Sequence, residues 1–200
     1  MNRFQLFFIL LLINSIPAYS QVDTTIVMSD LVISGNRIST PFSEASRNIQ
    51  IITSEDIRRN PIQSIPEILS YSPGLDIRQR GPMGVQSDIG IRGGTFEQTL
   101  ILLNGIKLTD PQTGHHVMNI PIPLDNIQQI EVLKGPGARI YGQNAFAGAV
   151  NFITRVPDIQ NIGIRAYGGS FGSYGGNLSL SLPLGNYKQY ISLSRDASDG

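Results

Sequence analysis

Hydrophobic and polar positions follow two different patterns along this chain, and the change comes at about Arg155. Before that point, short β-prone runs are separated by glycines, prolines and two helical segments. After it, aliphatic and small polar residues alternate through three further runs. The first pattern predicts an α+β unit with a short mixed sheet and small helices. The second predicts three antiparallel strands.

Two short helices are predicted between the early strands. Thr53 with Asp56 can cap the first helix, which must end before Pro61 because proline disfavours a helical residue in front of it. Ser64 with Glu67 forms a capping box for the second. The apolar residues of that helix share one face and are Ile65, Ile68 and Leu69, with the helix ending by Pro73-Gly74.

The other short apolar runs of this first part are typical of strands. Asn104-Gly105 suits a type I′ turn, since both positions of that turn need positive φ, and therefore predicts a hairpin. The predicted strands are Asp30–Ser34, Asn48–Thr53, Leu75–Arg78, Asp88–Arg92, Thr99–Leu103, a return strand from Ile106, Ile127–Lys134 and Ala149–Thr154.

The alternating runs after Arg155 have one aliphatic face and one small polar face. They cover Ile162–Ala166, Asn177–Leu184 and Ile191–Ser194, and Gly185-Asn186 is the predicted turn between the second and third. The wall of a transmembrane β-barrel and a sheet of a soluble sandwich share this alternation. An export signal and tyrosines near the strand ends, Tyr174 and Tyr187, favour the barrel.

The first twenty residues have the composition of a cleaved export signal. Arg3 supplies the positive start, Leu6–Ile13 the apolar stretch, and Ala18-Tyr19-Ser20 the small-x-small cleavage site. A buried N-terminal helix is the alternative, but Pro17 and the polar residues after Ser20 weigh against it. The apolar run is also too short to span a membrane as a helix. We therefore expect an exported protein that begins at Gln21.

Composition and motifs exclude several classes of function. The 15 basic and 15 acidic residues balance, so no net field attracts nucleic acid, and the absence of cysteine excludes disulfides and thiolate metal sites. The loop Gly135–Arg139 follows a strand but lacks the third glycine of a dinucleotide fingerprint and the Gly-Lys-Ser/Thr of a P-loop. No nucleophile, base and orienting acid fall into a recognisable arrangement. We predict neither catalysis nor a bound cofactor.

The two histidines, His115 and His116, are adjacent in a segment between Pro111 and Pro121. Neighbouring residues do not face one another on a helix or on a strand, so a metal site built from this pair is disfavoured. The segment predicts an exposed polar loop. Both histidines are candidate ligand contacts.

Six segments in order resemble the plug of the TonB-dependent receptor family, in the style of its cobalamin and siderophore transporters. The last segment is the most specific, because its glycines surround two aromatic residues. The segments are DLVISGNR (30–37), ITSEDIRRN (52–60), IPEILSYSPGLDIR (65–78), IGIRGG (89–94), TLILLNGIKL (99–108) and IQQIEVLKGPGARIYGQNAFAGAVNFIT (127–154).

The resemblance implies a plug that fills a 22-stranded barrel and a nearby segment that pairs with TonB by strand addition. Asp30, Leu31, Val32, Ile33 and Ser34 are the candidate TonB-binding segment, with Thr25–Met28 as the alternative, and the run could instead be only the first strand of the plug. The residues that match plug–barrel contacts of the family are Arg92, Lys134 and Arg139.

The resemblance also implies a location in the outer membrane and three kinds of partner. These are TonB with its energising ExbB–ExbD complex, a nutrient ligand and outer-membrane lipid. The expected function is to gate energised uptake of an iron–siderophore or cobalamin; a soluble periplasmic binding or adhesion module is the alternative. The resemblance further implies that the transported substrate is selected largely by extracellular loops of the barrel.

The expected division of the chain has four parts. They are a signal peptide (1–20), a periplasmic tether with the TonB-box-like segment (21–47), the plug (48–155) and the start of a barrel (156–200). Only 45 residues follow Arg155, whereas the strands of a 22-stranded barrel need about 200 residues. The sequence is therefore expected to be a fragment of a longer receptor.

Overall fold

The structure is a computed structural model that describes residues 32–33, 40–41, 48–62, 64–81, 85–110 and 112–199. They belong to one unit, Leu31–Gly200. The strands are β1 (Val32–Ile33), β2 (Thr40–Pro41), β3 (Ile49–Thr53), β4 (Leu75–Gln79), β5 (Ser87–Ile91), β6 (Thr99–Leu103), β7 (Ile106–Leu108), β8 (Ile127–Lys134), β9 (Gly148–Thr154), β10 (Asn161–Gly168), β11 (Tyr174–Leu184) and β12 (Tyr187–Ala197). The helices are α1 (Ser54–Arg59), α2 (Ile65–Ser70) and α3 (Ala138–Tyr141), with 3₁₀ turns at Phe96–Gln98 and Leu124–Asn126.

Part of the predicted N-terminal organisation lies outside the described residues. This holds for the export signal, for Thr25–Met28, and for Asp30, Leu31 and Ser34 of the first predicted strand. Val32 and Ile33 are described as β1, which pairs antiparallel with β2. The two strands form a separate two-stranded sheet.

A five-stranded mixed sheet in the order β3-β8-β9-β6-β7 forms the centre of the fold. β6 and β9 are parallel and the other pairs are antiparallel. The larger core lies on one face, where α1 contributes Ile57 and α2 contributes Ile68 and Leu69 against Val132 and Phe152 of the sheet. A smaller cluster covers the other face, where Tyr141 of α3 packs near Leu102. The predicted α+β unit with a short mixed sheet is confirmed.

The two early helices begin where the capping residues predicted. The Thr53 side chain accepts a hydrogen bond from the Asp56 backbone, and the Asp56 carboxylate accepts one from the Thr53 backbone, so both halves of a capping box are present. Ser64 Oγ accepts from the Glu67 backbone N–H at the start of α2. These bonds satisfy backbone donors that the first turn of a helix leaves without partners.

The strand β5 is buried on both faces. Polar and apolar residues alternate from Asp88 to Arg92 in the sequence, yet all five residues of β5 are buried. Gly90 is covered so closely that an added Cβ would lie 2.3 Å from the backbone oxygen of Gly94. Arg92 is exposed just beyond the strand, in the left-handed region with φ of 49°.

The helical turn α3 was not predicted from the sequence. It follows the loop Gly135–Gly137 and has no side-chain cap, because its N-cap is Gly137. Its amide and carbonyl groups are held by short-range bonds, including Tyr141 N to Gly137 O at 3.0 Å. Its buried residue, Tyr141, joins the smaller cluster and closes that face of the sheet.

Strands β10, β11 and β12 form an antiparallel sheet in chain order, as predicted. The turn Gly185-Asn186 joins β11 to β12. Cross-strand partners keep the aliphatic positions on one face, with Leu178 between Ile164 and Leu193. Among the described residues, no helix combines the length and apolar character needed to cross a membrane.

Candidate functional site

Two of the three predicted contact cations, Arg92 and Lys134, lie close together at the ends of β5 and β8. The backbone N–H of Arg92 donates to Gly74 O at 2.9 Å, which fixes the residue just past its strand. Lys134 Nζ donates to Gln50 Oε1 at 2.5 Å across the β3–β8 pair. Burial lowers the pKa of Lys134, and the charge of the nearby Arg92 lowers it further. The positive charges of Arg92 and Lys134 are therefore close enough to repel each other.

Within the described part of the chain, neither of these cations forms an ion pair with a carboxylate. We call Arg92 and Lys134 the cation pair. Arg139 is on a different element, α3, where it is exposed. Among the described residues it also forms no ion pair. An opposite charge brought to the cation pair would relieve the repulsion between its members.

A contact between the α+β unit and the C-terminal sheet was missed at the sequence level. Asp125 in the second 3₁₀ turn pairs with Arg165 of β10 at 3.4 Å, and the neighbouring Asn126 O accepts from Arg155 N at 2.8 Å. Arg165 belongs to the polar face of the sheet, in register with Asn177. The only sequence feature that could have indicated this contact is that Arg165 is the one charged residue of β10. Nothing in the sequence pattern indicated Asp125 as its partner.

His115 is held by a cluster of polar groups around Asp88. Its Nδ1 lies 2.9 Å from Asp88 Oδ1, while Arg80 Nη2 donates to Oδ2 of the same carboxylate at 3.2 Å. Gln86 Nε2 also donates to Oδ1, at 3.2 Å. The imidazole lies against the ring of Phe96 with centroids 4.2 Å apart. The sequence predicted an exposed loop for both histidines, but His115 is about one-third exposed because these contacts cover it.

His116 is exposed, as the loop prediction implies. Its Nδ1 lies 3.4 Å from Asn119 Nδ2, and its backbone N–H lies 3.5 Å from Asp110 Oδ2. The carboxylate of Asp110 also accepts from Gln112 N at 3.0 Å. The two histidines therefore differ sharply in their surroundings although they are neighbours in sequence.

Two cavities meet at Phe96. One, of about 200 Å³, lies on the side of β4 and β5 and is lined by residues that include Asp88 and Arg80. The other, of about 410 Å³, is lined by Phe96, Gly114 and mainly polar residues, among them Glu97, Thr99, Asp110, Gln112, Thr113 and Asn144. No group of three or more metal-binding side chains occurs in the described ranges of the chain.

The carboxylate of Asp88 gives an acid-dependent contribution to stability. Burial raises its pKa, but hydrogen bonds from His115, Gln86 and Arg80 outweigh burial and hold the pKa below its usual value near 3.8. When the pKa of a carboxyl group is lower in the folded than in the unfolded state, its ionised form stabilises the fold at pH values above the unfolded-state pKa. This stabilisation is lost as the pH falls through the folded-state pKa. We expect Asp88→Asn to flatten the decline in the free energy of unfolding below about pH 4.

Urea denaturation of both proteins between pH 7 and pH 2 measures this expectation. The wild-type and Asp88→Asn curves should converge as pH falls, because protonation removes the charge that the substitution has already removed. Curves that stay parallel over the whole range would contradict the role given to Asp88.

Comparison with known proteins places these features in one family. Residues 41–149 match the family model described as the TonB-dependent Receptor Plug Domain. A vitamin B12 transporter, BtuB of Vibrio vulnificus, is 32% identical over 124 residues, which are 62% of this chain and 20% of that protein. This chain thus spans about a fifth of the length of the curated relative it matches.

Solved structures give the same picture of the fold. The ferric-catecholate import receptor Fiu of E. coli K12 is similar with a TM-score of 0.67 at 21% identity, over 86% of this chain and 25% of that one. The ferric enterobactin receptor PfeA of Pseudomonas aeruginosa has a TM-score of 0.56 at 26% identity, over 78% of this chain and 26% of that one. Both matches cover more of this chain than residues 41–149. The arrangement of an α+β unit followed by three antiparallel strands resembles the plug and first barrel strands of such receptors.

Proposed function

Because this chain belongs to the family of TonB-dependent receptor plug domains, we propose that it is the plug-bearing part of an outer-membrane transporter. Its plug gates energised uptake of a scarce nutrient of the iron–siderophore or cobalamin class. The relatives are receptors and transporters, not enzymes, and they include a vitamin B12 transporter, a ferric-catecholate import receptor and a ferric enterobactin receptor. An exported protein whose signal is removed after Ser20 fits this location.

The cation pair is the observation that carries the proposal. Arg92 and Lys134 lie at the ends of β5 and β8, repel one another, and have no carboxylate partner among the described residues. Carboxylates on the inner wall of a barrel would pair with them and seat the plug. Arg92 can bind such a carboxylate through two parallel hydrogen bonds, whereas Lys134 acts as a point charge. Arg139 on α3 offers a third, separate contact.

The sheet β10–β12 supplies the beginning of that wall. Its polar face carries Arg165 toward Asp125 of the plug. Its aliphatic face is exposed, with Ile164 80% and Leu193 73% accessible, which suits contact with lipid acyl chains. Alternation of this kind along successive strands gives one face to the plug and the other to the membrane.

Coupling to the energy source is assigned to the segment in front of the plug. TonB, driven by ExbB–ExbD, is proposed to add a strand to Asp30, Leu31, Val32, Ile33 and Ser34, within a tether at 21–47 that precedes the plug at 48–155. β1 (Val32–Ile33) is already extended, and in its two-stranded sheet it is bonded to β2 on one side. The other side can receive a partner strand.

Replacing Val32 by proline is expected to abolish TonB binding while leaving the plug folded. Proline removes a backbone N–H and cannot donate within a ladder of strands. A pull-down with the C-terminal domain of TonB measures binding, and circular dichroism checks the fold. The matched control is Ile26→Pro in the alternative segment Thr25–Met28, which should bind normally. Loss of binding by Ile26→Pro alone would move the contact to that segment.

A further inference from the structure

Gln50 of β3 lies beside Lys134 of β8 on the larger-core face of the central sheet. Gln50 is in register with Val132, two residues before Lys134, so Gln50 and Lys134 are diagonal neighbours across the two strands. The pairing continues to this point, because the backbone N–H of Lys134 donates to Asn48 O at 2.9 Å. Long side chains at diagonal positions can reach one another. The strand pairing itself therefore brings the carboxamide of Gln50 to the ammonium of Lys134.

The carboxamide of Gln50 makes a hydrogen bond at each of its two ends. Its Oε1 accepts from Lys134 Nζ at 2.5 Å, and its Nε2 donates to Ser72 Oγ at 3.4 Å. An ammonium group can only donate hydrogen bonds, so the oxygen of the carboxamide must face Lys134 and the nitrogen must face Ser72. Ser72 is only 4% exposed. Gln50 is thus anchored on a buried hydroxyl while it binds the ammonium.

The turn that contains Ser72 also holds the other member of the cation pair. Gly74 O accepts from the backbone N–H of Arg92 at 2.9 Å. Gly74 has φ of 81°, and a Cβ added there would lie 3.8 Å from Arg92 Cγ, which is ordinary contact distance. The short turn Ser72–Gly74 therefore fixes Arg92 directly and Lys134 through Gln50.

Electrostatics alone would separate the two positive charges. Burial and the charge of Arg92 both oppose the protonated form of Lys134 and lower its pKa. A lysine side chain is flexible, and its ammonium is strongly hydrated. Without a contact that holds it, the ammonium would turn towards water and away from Arg92. The hydrogen bond to Gln50 Oε1 supplies such a contact.

We propose that Gln50 is the positioning residue of the cation pair: it holds the Lys134 ammonium beside Arg92, so that a carboxylate meets two charges already in place. A pair that is already in place loses less conformational entropy when the carboxylate binds. That this carboxylate belongs to a barrel wall rests on the proposed function. The placement of Lys134 by Gln50 concerns this chain alone and is measured without transport.

The experiment is NMR of the detergent-solubilised chain with lysine labelled by ¹³C at Cε, which reports both the protonation and the mobility of each ammonium group. The chain has three lysines, so Lys107 and Lys188 are internal references. Gln50→Met keeps the length of the side chain and removes the strong acceptor, whereas Gln50→Glu keeps an acceptor oxygen. We expect Lys134 Cε to be ordered in the wild type and in Gln50→Glu but mobile in Gln50→Met, with both references unchanged.

The influence of Arg92 on Lys134 separates positioning from a general structural role. In the wild type, Arg92→Ala should raise the pKa of Lys134, because it removes the nearby positive charge. In Gln50→Met the pKa should already be higher, since the ammonium has moved into water, and Arg92→Ala should then have little further effect. An ordered Lys134 Cε in Gln50→Met, or an undiminished effect of Arg92→Ala in that variant, would overturn the proposal.

A complete receptor that carries this plug distinguishes the proposal from the transport function. Gln50→Met should make cells more sensitive to a bulky glycopeptide antibiotic, but it should add nothing in a Lys134→Ala receptor, because it acts through Lys134. Added sensitivity in that receptor would contradict the positioning role. Resistance of both Arg92→Ala and Lys134→Ala cells would instead count against the contact between plug and barrel, and the lysine NMR would still decide the role of Gln50.

Discussion

Replacing Phe152 by alanine is expected to lower the free energy of unfolding of this chain by about 3–5 kcal/mol. Phe152 is fully buried on β9, the central strand of the five-stranded sheet. It stands in register between Ile130 of β8 and Leu103 of β6. Truncation would remove its burial energy and leave a cavity that strands bonded on both sides cannot close.

Phe146 provides the matched control, because it lies six residues before Phe152 but is exposed to solvent, so that Phe146→Ala makes the same change at the surface. Its side chain is 71% exposed. We expect Phe146→Ala to change the free energy of unfolding by no more than about 0.5 kcal/mol. Urea denaturation of the two variants makes the comparison. Equal losses would mean that the central strand is not the core of this fold.

Local signals in the sequence were sufficient for most elements of the plug. Thr53 with Asp56, and Ser64 ahead of Glu67, fixed the starts of α1 and α2 because caps act within one helical turn. The Asn104-Gly105 turn has φ of 50° and 79°, as the hairpin prediction requires. Strands β6 and β8 have the predicted bounds, since their apolar runs end at turn residues.

Features that depend on distant parts of the chain could not be predicted. Asp88 is a charged residue that is nevertheless buried, because residues that come together only in the fold cover it and supply hydrogen-bond donors. The turn α3 has four residues and a glycine N-cap, so neither periodicity nor a capping side chain marks it. Asp125 and Arg165 are 40 positions apart in the sequence, and nothing in the local pattern around Asp125 indicates that the two residues pair.

Alternation in the last three runs determined the strands but not their environment. A soluble sandwich and a membrane barrel have the same period of two, because one face of each sheet is apolar. The match of residues 41–149 to the plug family, and of longer stretches to receptor structures, supports the barrel and not the soluble module. The role of Arg92, Lys134 and Arg139 stays a prediction from the resemblance, strengthened by the proximity of the first two.

Loss of the cation pair should unseat the plug in a receptor that carries it inside a complete barrel. A barrel carboxylate that pairs with Arg92 away from water would be left uncompensated by Arg92→Ala, at a cost of about 3–5 kcal/mol. That cost raises the population of unseated plugs by about 100-fold or more. Lys134→Ala should act in the same direction but less strongly, because an ammonium makes a less rigid contact than a guanidinium.

Entry of a bulky glycopeptide antibiotic into cells that express the receptor measures this directly. Arg59→Ala is the control, since Arg59 is exposed and pairs with Glu55 of its own helix. The proposed gate predicts that Arg92→Ala cells become sensitive to the antibiotic, that Lys134→Ala cells do so to a smaller degree, and that Arg59→Ala cells keep wild-type resistance. Wild-type resistance in both Arg92→Ala and Lys134→Ala cells, with normal receptor levels, would contradict it.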